Sequence, residues 1–397
     1  MKILIVSQYI HPEVGGGPTR ITNLTRGLIK QGQEVDVLTC LPNYPKGRIY
    51  DGYRGRISKK EDFEGATLYR YWTYATVSKS PIKRALSMIS FSIVMWLFAF
   101  KRRKIRSYDR VIIQSPTLFV ATSAMWMFKG LYHKKCILNV SDLWPSSAVD
   151  LGAMKEGGRA WKVMHWCERY LYRIADGVMG QSNEILAHIS EFPSSPKKFL
   201  YRHLQPYEVT IDYKERNPKL KIVYAGVLNA GQDMLALVKG IDFHKLGVEF
   251  HLYGGGTQQA EIEQYIKDNP DCEVFYYGFV SKERIVEELP KYDASIIPLA
   301  VRIRGAVPSK IYDILPSGMP VLFCGGGEGA DIVKKFDVGY VSDPGDFKTL
   351  YDNIAKLNQL SESEYIELSK RCVKTAKEEL NFNKQIKNCI EFLSSVN

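Results

Sequence analysis

RGAVPSKIYDILPSGMPVL, residues 304–322, reads as a helix handed directly to a strand. Pro308-Ser309-Lys310 opens an apolar helical run, with Pro308 at a first helical position, where its missing N–H costs nothing. Gly318-Met319-Pro320 closes the run just ahead of the strand-like Val321-Leu322-Phe323. A helix feeding a short apolar strand is the repeating unit of a parallel α/β sheet. The same stretch carries chemistry. Free N–H groups at the helix start and the Lys310 ammonium make a seat for an anion. Asp313 lies on the same face as Ser309, about 6 Å along the axis. An anion seat with a carboxylate one turn away suits a nucleotide sugar, diphosphate on the N–H groups and ribose hydroxyls on the carboxylate.

Outward from this stretch the alternation continues through both halves of the chain. Strands are expected at Ile3–Ser7, Glu34–Thr39, Thr67–Tyr71, Arg110–Gln114, Lys135–Val140 and Gly177–Gly180. A second set follows at Leu220–Tyr224, Glu249–Tyr253, Glu273–Tyr276, Ala294–Ile297, Pro320–Cys324 and Gly339–Val341. Helices fall between them at Thr19–Gln31, Trp161–Ile174, Gln259–Asp268, Lys282–Leu289 and Phe347–Leu357. A chain of 397 residues exceeds one ordinary core. The expected organisation is an N-terminal Rossmann-like domain over 1–203, a second over 204–380, and a helix over 381–397 packing back on the first. The joint falls near 200–218, after Phe192-Pro193-Ser194-Ser195-Pro196.

Composition narrows the class. Seven scattered cysteines, with no C-x-x-C pair, argue for reduced buried thiols and against structural zinc or disulfides. The opening MKILIVSQYI is too short an apolar run for a signal peptide and reads as a buried first strand, so a cytoplasmic location is expected. Net charge is +11, unevenly placed: residues 1–205 hold 31 Lys+Arg against 15 Asp+Glu, and the remainder 23 against 28. The first half is thus expected to meet something anionic, the plainer alternative being a solvated basic surface. No recognised nucleic-acid module accompanies the charge.

Residues 85–100, ALSMISFSIVMWLFAF, carry no charge, while Lys83 and Arg84 precede them and Lys101-Arg102-Arg103-Lys104 follow. Sixteen residues reach about 24 Å, short of a bilayer's hydrocarbon core of roughly 30 Å. Spanning is not expected. A segment lying on an anionic leaflet fits, with Lys83, Arg84, Trp96 and Lys101 to Lys104 touching it, and a buried core helix is the alternative.

Glycine turns mark the strand ends. Gly15-Gly16-Gly17 precedes a helix in a pattern that is not the G-x-G-x-x-G of dinucleotide sites. Gly16 and Gly17 would let a phosphate approach, and Arg20 one turn in could clamp it or stay solvated. Asp142 in Asn139-Val140-Ser141-Asp142-Leu143-Trp144-Pro145 follows a strand, where open sheets bind ligands. It could orient or deprotonate an acceptor hydroxyl, or simply cap the next element. Trp144 could stack on a sugar or belong to the core. In the second half, Tyr224-Ala225-Gly226 leading to Gln232, then Gly254-Gly255-Gly256, then Tyr277-Gly278-Phe279, outline one crevice. Gly278 and Phe279 could hold a base.

These motifs resemble those of a retaining glycosyltransferase of family 4, which has the two-Rossmann GT-B fold with its domains facing across a cleft. Gly15 to Gly17, Leu41-Pro42-Asn43-Tyr44-Pro45-Lys46-Gly47, Ser141 to Ser147 and Arg304 to Pro320 carry the likeness. Within the family the chain is similar to bacterial L-fucosamine transferases of O-antigen, capsule and colanic acid biosynthesis. The resemblance implies a UDP-linked aminosugar donor, a polyprenyl-diphosphate-linked acceptor, retention of configuration and no metal ion. It also implies that Gly15 to Gly17 face the donor diphosphate and that the second domain binds the nucleotide. The family's paired glutamates map onto Gly305 and Asp313, and its usual Arg and Lys onto Val227 and Gln232. Arg302, Arg304 and Lys310 are the replacements, with Ser309 and Gln232 at the donor. Ser141 stands where a basic residue or His commonly precedes the aspartate.

Two other readings compete. A UDP-sugar 2-epimerase shares the fold but gives no reason for residues 83–104. A nucleotide-sugar-binding partner without catalysis would follow if Gly305, Val227 and Ser141 had cost the activity.

Overall fold

Apolar runs buried on both faces form parallel strands, because helices cover each side of such a sheet and leave no solvent face to alternate with. In the first half these are β1 (Lys2–Val6), β2 (Glu34–Cys40), β4 (Ala66–Tyr71), β5 (Arg110–Ser115), β6 (Cys136–Val140) and β7 (Gly177–Gly180), joined by β3 (Ser58–Phe63) and β8 (Lys197–Leu200). The sheet order is β3-β4-β2-β1-β5-β6-β7-β8, parallel throughout except for the β3–β4 pair. The computed structural model describes residues 1–78, 80–193 and 196–396, and the side chains of all these but Pro81, Arg84, Lys282 and Glu283. Ser194 and Ser195 of the expected joint, and the Arg84 side chain expected at a membrane, lie outside the described residues.

This first unit comprises Met1–Pro206 together with the chain from Phe382 onward. Helix α1 (Gly16–Lys30) follows β1 and lays Ile21, Leu24 and Leu28 into the core at helical spacing. The last helix, Phe382–Ser395, belongs to the same core. Its Phe382 and Ile386 fill the space beside Gly27, and Phe392 and Val396 cover Gly177. Arg110 fastens it by donating to the carbonyls of Leu393 (2.8 Å) and Val396 (2.7 Å).

The second unit, Tyr207–Asn381, is built on β9 (Lys221–Ala225), β10 (Glu249–Tyr253), β11 (Val274–Tyr276), β12 (Ala294–Pro298), β13 (Val321–Cys324) and β14 (Gly339–Ser342). The order is β11-β10-β9-β12-β13-β14, all parallel. Buried Asp293 locks the entry to this sheet, accepting from the N–H groups of Asn217 (3.0 Å) and Lys221 (2.8 Å).

The two strands that sequence reading missed are both at sheet edges. SKKEDF and KKFL are rich in lysine, as suits an edge that must not pair with another chain. The stretch 304–322 also folds differently from expectation. Its helix is only Lys310–Ile314, with Ser309 at the position before it, so Pro308 lies ahead of the helix and not at its first position. Pro316 turns the continuation into the 3-10 turn Leu315–Ser317, and Gly318 ends it in the left-handed region at φ 70°. So short a helix carries little dipole, and the weight of anion binding passes to the Lys310 side chain.

The apolar segment is half core and half surface. It forms α2 (Pro81–Val94), the 3-10 turn Met95–Phe100 and a short helix Arg102–Arg106. Phe91, Met95, Phe98 and Ile105 are buried, whereas Ile82, Leu86, Ile89, Ile93, Leu97 and Phe100 are exposed at helical spacing. Lys83, Lys101, Arg102 and Arg103 are exposed beside them. Two expected membrane contacts have partners within the first unit. Trp96 turns inward, its indole N–H donating to Ser123 Oγ at 2.8 Å while the ring packs on the core. Lys104 is committed to an ion pair with Asp36 at 2.6 Å. Among the described residues no helix is long and apolar enough to cross a membrane.

Candidate active site

In the second unit the glycine turns at the carboxyl ends of β9, β10 and β11 are tied to one another by their backbones. Gly226 N–H donates to Tyr253 O (2.9 Å), Leu228 N–H to Gly255 O (3.0 Å) and Gly254 N–H to Gly278 O (2.8 Å). A side chain at Gly254, whose φ is +136°, would overlap the Gly226 carbonyl. Glycine is therefore required there by the close approach of two loops. Ala300 N–H reaches Gly231 O (2.9 Å), which places the arginine loop after β12 beside the turn that holds Gln232.

Lys310 is the cation at this crest. Its ammonium lies over the Tyr224 ring, 4.6 Å from the centroid, and donates to Tyr224 Oη at 3.4 Å. A side chain on Gly226 would collide with it, so Lys310 lies directly against the first glycine turn. Loss of water around the ammonium pushes its pKa down to about 8, and Asp313 opposes the shift. Ser309 and Asp313 are half-buried beside it, and Arg302 and Arg304 are exposed. The Arg302 stem passes the Gly325-Gly326-Gly327 turn after β13, 3.6 Å from where a Cβ on Gly326 would stand. Gly305, in the place of the family glutamate, is buried at φ +75°, a conformation that L side chains strain to adopt. Gly278 has φ +75°, and the Phe279 ring is 83% exposed. Gln232 is half-buried, its N–H on Asn229 O at 3.0 Å.

In the first unit Gly15-Gly16-Gly17 turns into α1, Gly15 at φ +132°. The Tyr44 ring, from the 41–47 motif, and the His203 ring, which the sequence did not single out, flank it: Tyr44 Cε1 lies 3.0 Å from a Cβ position on Gly15, and His203 Cε1 3.9 Å from one on Gly16. Gly17 is open. Arg20 is neither solvated nor an exposed clamp. It is 1% exposed, donating to Asn139 Oδ1 (2.8 Å) and Tyr201 O (2.7 Å), and its charge acts on Asp142. Asp142 follows β6, with Ser141 Oγ 3.4 Å away, and burial pushes its carboxyl up to about 6 against the pull of Arg20. Gln114 ties Ser141 to Asn139 (3.0 and 2.7 Å), so a polar chain runs from Arg20 to Asp142. Trp144 packs on the core. Among the described residues no group of three His, Cys, Asp or Glu side chains is arranged to hold a metal.

The two units match two family descriptions. Residues 15–202 match the glycosyl transferase 4-like domain and 219–359 the glycosyl transferases group 1. WcaI of Escherichia coli K12, named for colanic acid biosynthesis glycosyl transfer, is 24% identical over 340 residues, 80% of this chain and 82% of WcaI. Sucrose-phosphate synthase from Thermosynechococcus elongatus superposes with TM-score 0.74 at 14% identity, covering 100% of this chain and 98% of that one. An E. coli trehalose-6-phosphate structure bound with UDP-2-fluoro glucose gives 0.67 at 11%, covering 100% and 99%. The shared architecture is GT-B.

Proposed function

Since the chain is a glycosyltransferase of the family 4 and group 1 type with a GT-B fold, we propose that it moves a sugar, with retention, from a UDP donor to a polyprenyl-diphosphate-linked saccharide in surface polysaccharide biosynthesis. An N-acetylated deoxy-aminosugar is the proposed cargo. The observation that carries this reading is Lys310 lodged among the glycine turns of the second unit, its ammonium held against Gly226 and over the Tyr224 ring. Fixed cations meeting charge on a leaving diphosphate are usually the largest catalytic term, and losing one costs about 2–4 kcal/mol in the barrier. Arg302 and Arg304 would share the diphosphate, Asp313 the ribose, and Gly278 and Phe279 the base. Asp142 would face the acceptor hydroxyl in the first unit. The name of WcaI supports the polysaccharide assignment, and the UDP-sugar in a structural neighbour supports the donor class.

The reaction is proposed to need no metal ion and to take place on the inner face of the cytoplasmic membrane. The exposed row from Ile82 to Phe100, flanked by Lys83, Lys101, Arg102 and Arg103, supports an anionic leaflet as partner. With about 1 kcal/mol for each cation near such a surface, replacing Lys101, Arg102 and Arg103 by Ser should weaken binding to phosphatidylglycerol vesicles about a hundredfold. Unchanged co-sedimentation counts against this surface. The activity itself is tested by UDP release from UDP-N-acetyl aminosugars given lipid extract, in EDTA. Turnover lost in Lys310→Ala supports the site, and near-normal turnover in that variant refutes it.

A further inference from the structure

The strongest unassigned feature lies just ahead of the glycine turn of the first unit. Glu13 is 4% exposed. Its Oε1 accepts from the N–H groups of Asn43 (2.9 Å) and Tyr44 (2.8 Å), and its Oε2 from the N–H of Ile10 (3.3 Å). Asn43 and Tyr44 belong to the loop after β2. That loop is braced internally by Gly47 N–H on Asn43 O (2.7 Å), Tyr50 N–H on Pro42 O (2.9 Å) and Tyr50 Oη on Tyr44 O (2.6 Å). The carboxylate thus ties a preformed loop to the segment that leads into Gly15. Tyr44, 43% exposed, sets its ring against Gly15 and packs on Tyr9 with centroids 5.4 Å apart.

We propose that Glu13 is a positioning residue that latches the 41–50 loop to the glycine turn, so that Tyr44 forms the wall of that turn. A carboxylate suits the role because both its oxygens only accept, and charge-assisted bonds are about twice as strong as neutral ones. Glutamine in its place would point an NH2 at one of these N–H donors. The charged and titratable groups around Glu13 come from three elements. Arg70 of β4 attracts it while also binding Glu61, His11 O and Cys40 O. Cys40 of β2 and Tyr50 of the loop lie within its field. Burial outweighs Arg70 and the N–H donors and raises the carboxyl to about 7, so the latch is half charged near neutrality.

This role rests on the glycine turn facing the donor, yet its test calls on no turnover, so the two can fail separately. Hydrogen exchange on the full chain reads the amides of Asn43 and Tyr44, and that of Thr19, whose N–H holds Gly15 O at 3.0 Å. At pH 8.5, Glu13→Gln should lower protection at Asn43 and Tyr44 about tenfold, the difference between charged and neutral acceptors. Thr19 should follow, while Val111 and Ile113 in β5 keep theirs. As pH falls to 6 the wild type should lose its advantage over the variant. Tyr44→Ala should loosen Thr19 alone, and the wild-type pH profile keeps the test decisive even if Glu13→Gln unfolds. Unchanged protection at Asn43 and Tyr44, a loss there with Thr19 unmoved, or a pH-independent ratio would each overturn the latch.

Discussion

The depressed pKa of Lys310, about 8, makes donor binding depend on pH in a calculable way. A bound diphosphate favours the ammonium, so UDP selects the charged form and draws the pKa back toward its usual value near 10.5. With a free-state value of about 8, roughly nine-tenths of the lysine is charged at pH 7 and one-tenth at pH 9, so UDP affinity should fall about tenfold, or about 1.4 kcal/mol. Near pH 9 each UDP bound should take up close to one proton. Calorimetry in two buffers of different ionisation heat measures both quantities. Lys310→Met should bind UDP weakly and without this slope, and Lys310→Arg should bind with no slope over the same range. The stability effect has the opposite sign. A lysine whose folded pKa is lowered weakens folding where it is charged, below about 8, and the deficit disappears as pH rises toward 10.5. Lys310→Met should therefore stabilise the second unit at pH 7, by about 1–3 kcal/mol after allowance for its partial exposure. Flat UDP affinity in the wild type from pH 7 to 9 would refute the placement of the diphosphate on Lys310.

Two further variants address the first unit. Asp142, raised to about 6, favours folding most when protonated, and that contribution is lost as pH rises through 6. Asp142→Asn should thus melt higher at pH 7, by about 1–3 kcal/mol in stability, while removing the acid limb of the transfer rate; a lower melting temperature with that limb intact contradicts both roles. Ile386→Ala opens a cavity against Gly27 and should cost the first unit about 2–4 kcal/mol in urea unfolding. A loss below about 0.5 kcal/mol would mean that the last helix does not complete that core.

Much of the sheet architecture was legible because the parallel strands are uninterrupted apolar runs between turn residues. Ile5, Val111 and Leu138 announce burial on both faces by having no polar neighbour in register. The edge strands were hidden because lysine is what an edge needs and a core strand forbids. Within residues 81–106 the sequence carried two messages at once. Apolar residues at helical spacing mark both the face on the core and the face on the surface, and only packing shows that Trp96 belongs to one and Leu97 to the other. The ion pair of Lys104 was hidden as well, since its partner Asp36 is remote in sequence. The glycine turns were visible as turns. Their walls were not: Tyr44 and His203 reach Gly15 and Gly16 through contacts that no spacing encodes. Glu13, two residues ahead of the glycine run, was the local signal that a buried acceptor lay there.

The proposed reaction is transfer of a sugar from a nucleotide diphosphate to a lipid-linked acceptor with retained configuration. The most direct measurement incubates the full chain with labelled UDP-N-acetyl aminosugars and polyprenyl-diphosphate saccharide, then reads partition of label and the anomeric coupling constant of the product. Label is expected in the lipid phase, with an anomeric configuration matching the donor, and both are lost in Lys310→Ala. Label remaining in water as an epimerised donor, or an inverted linkage on the lipid, would contradict the proposed reaction.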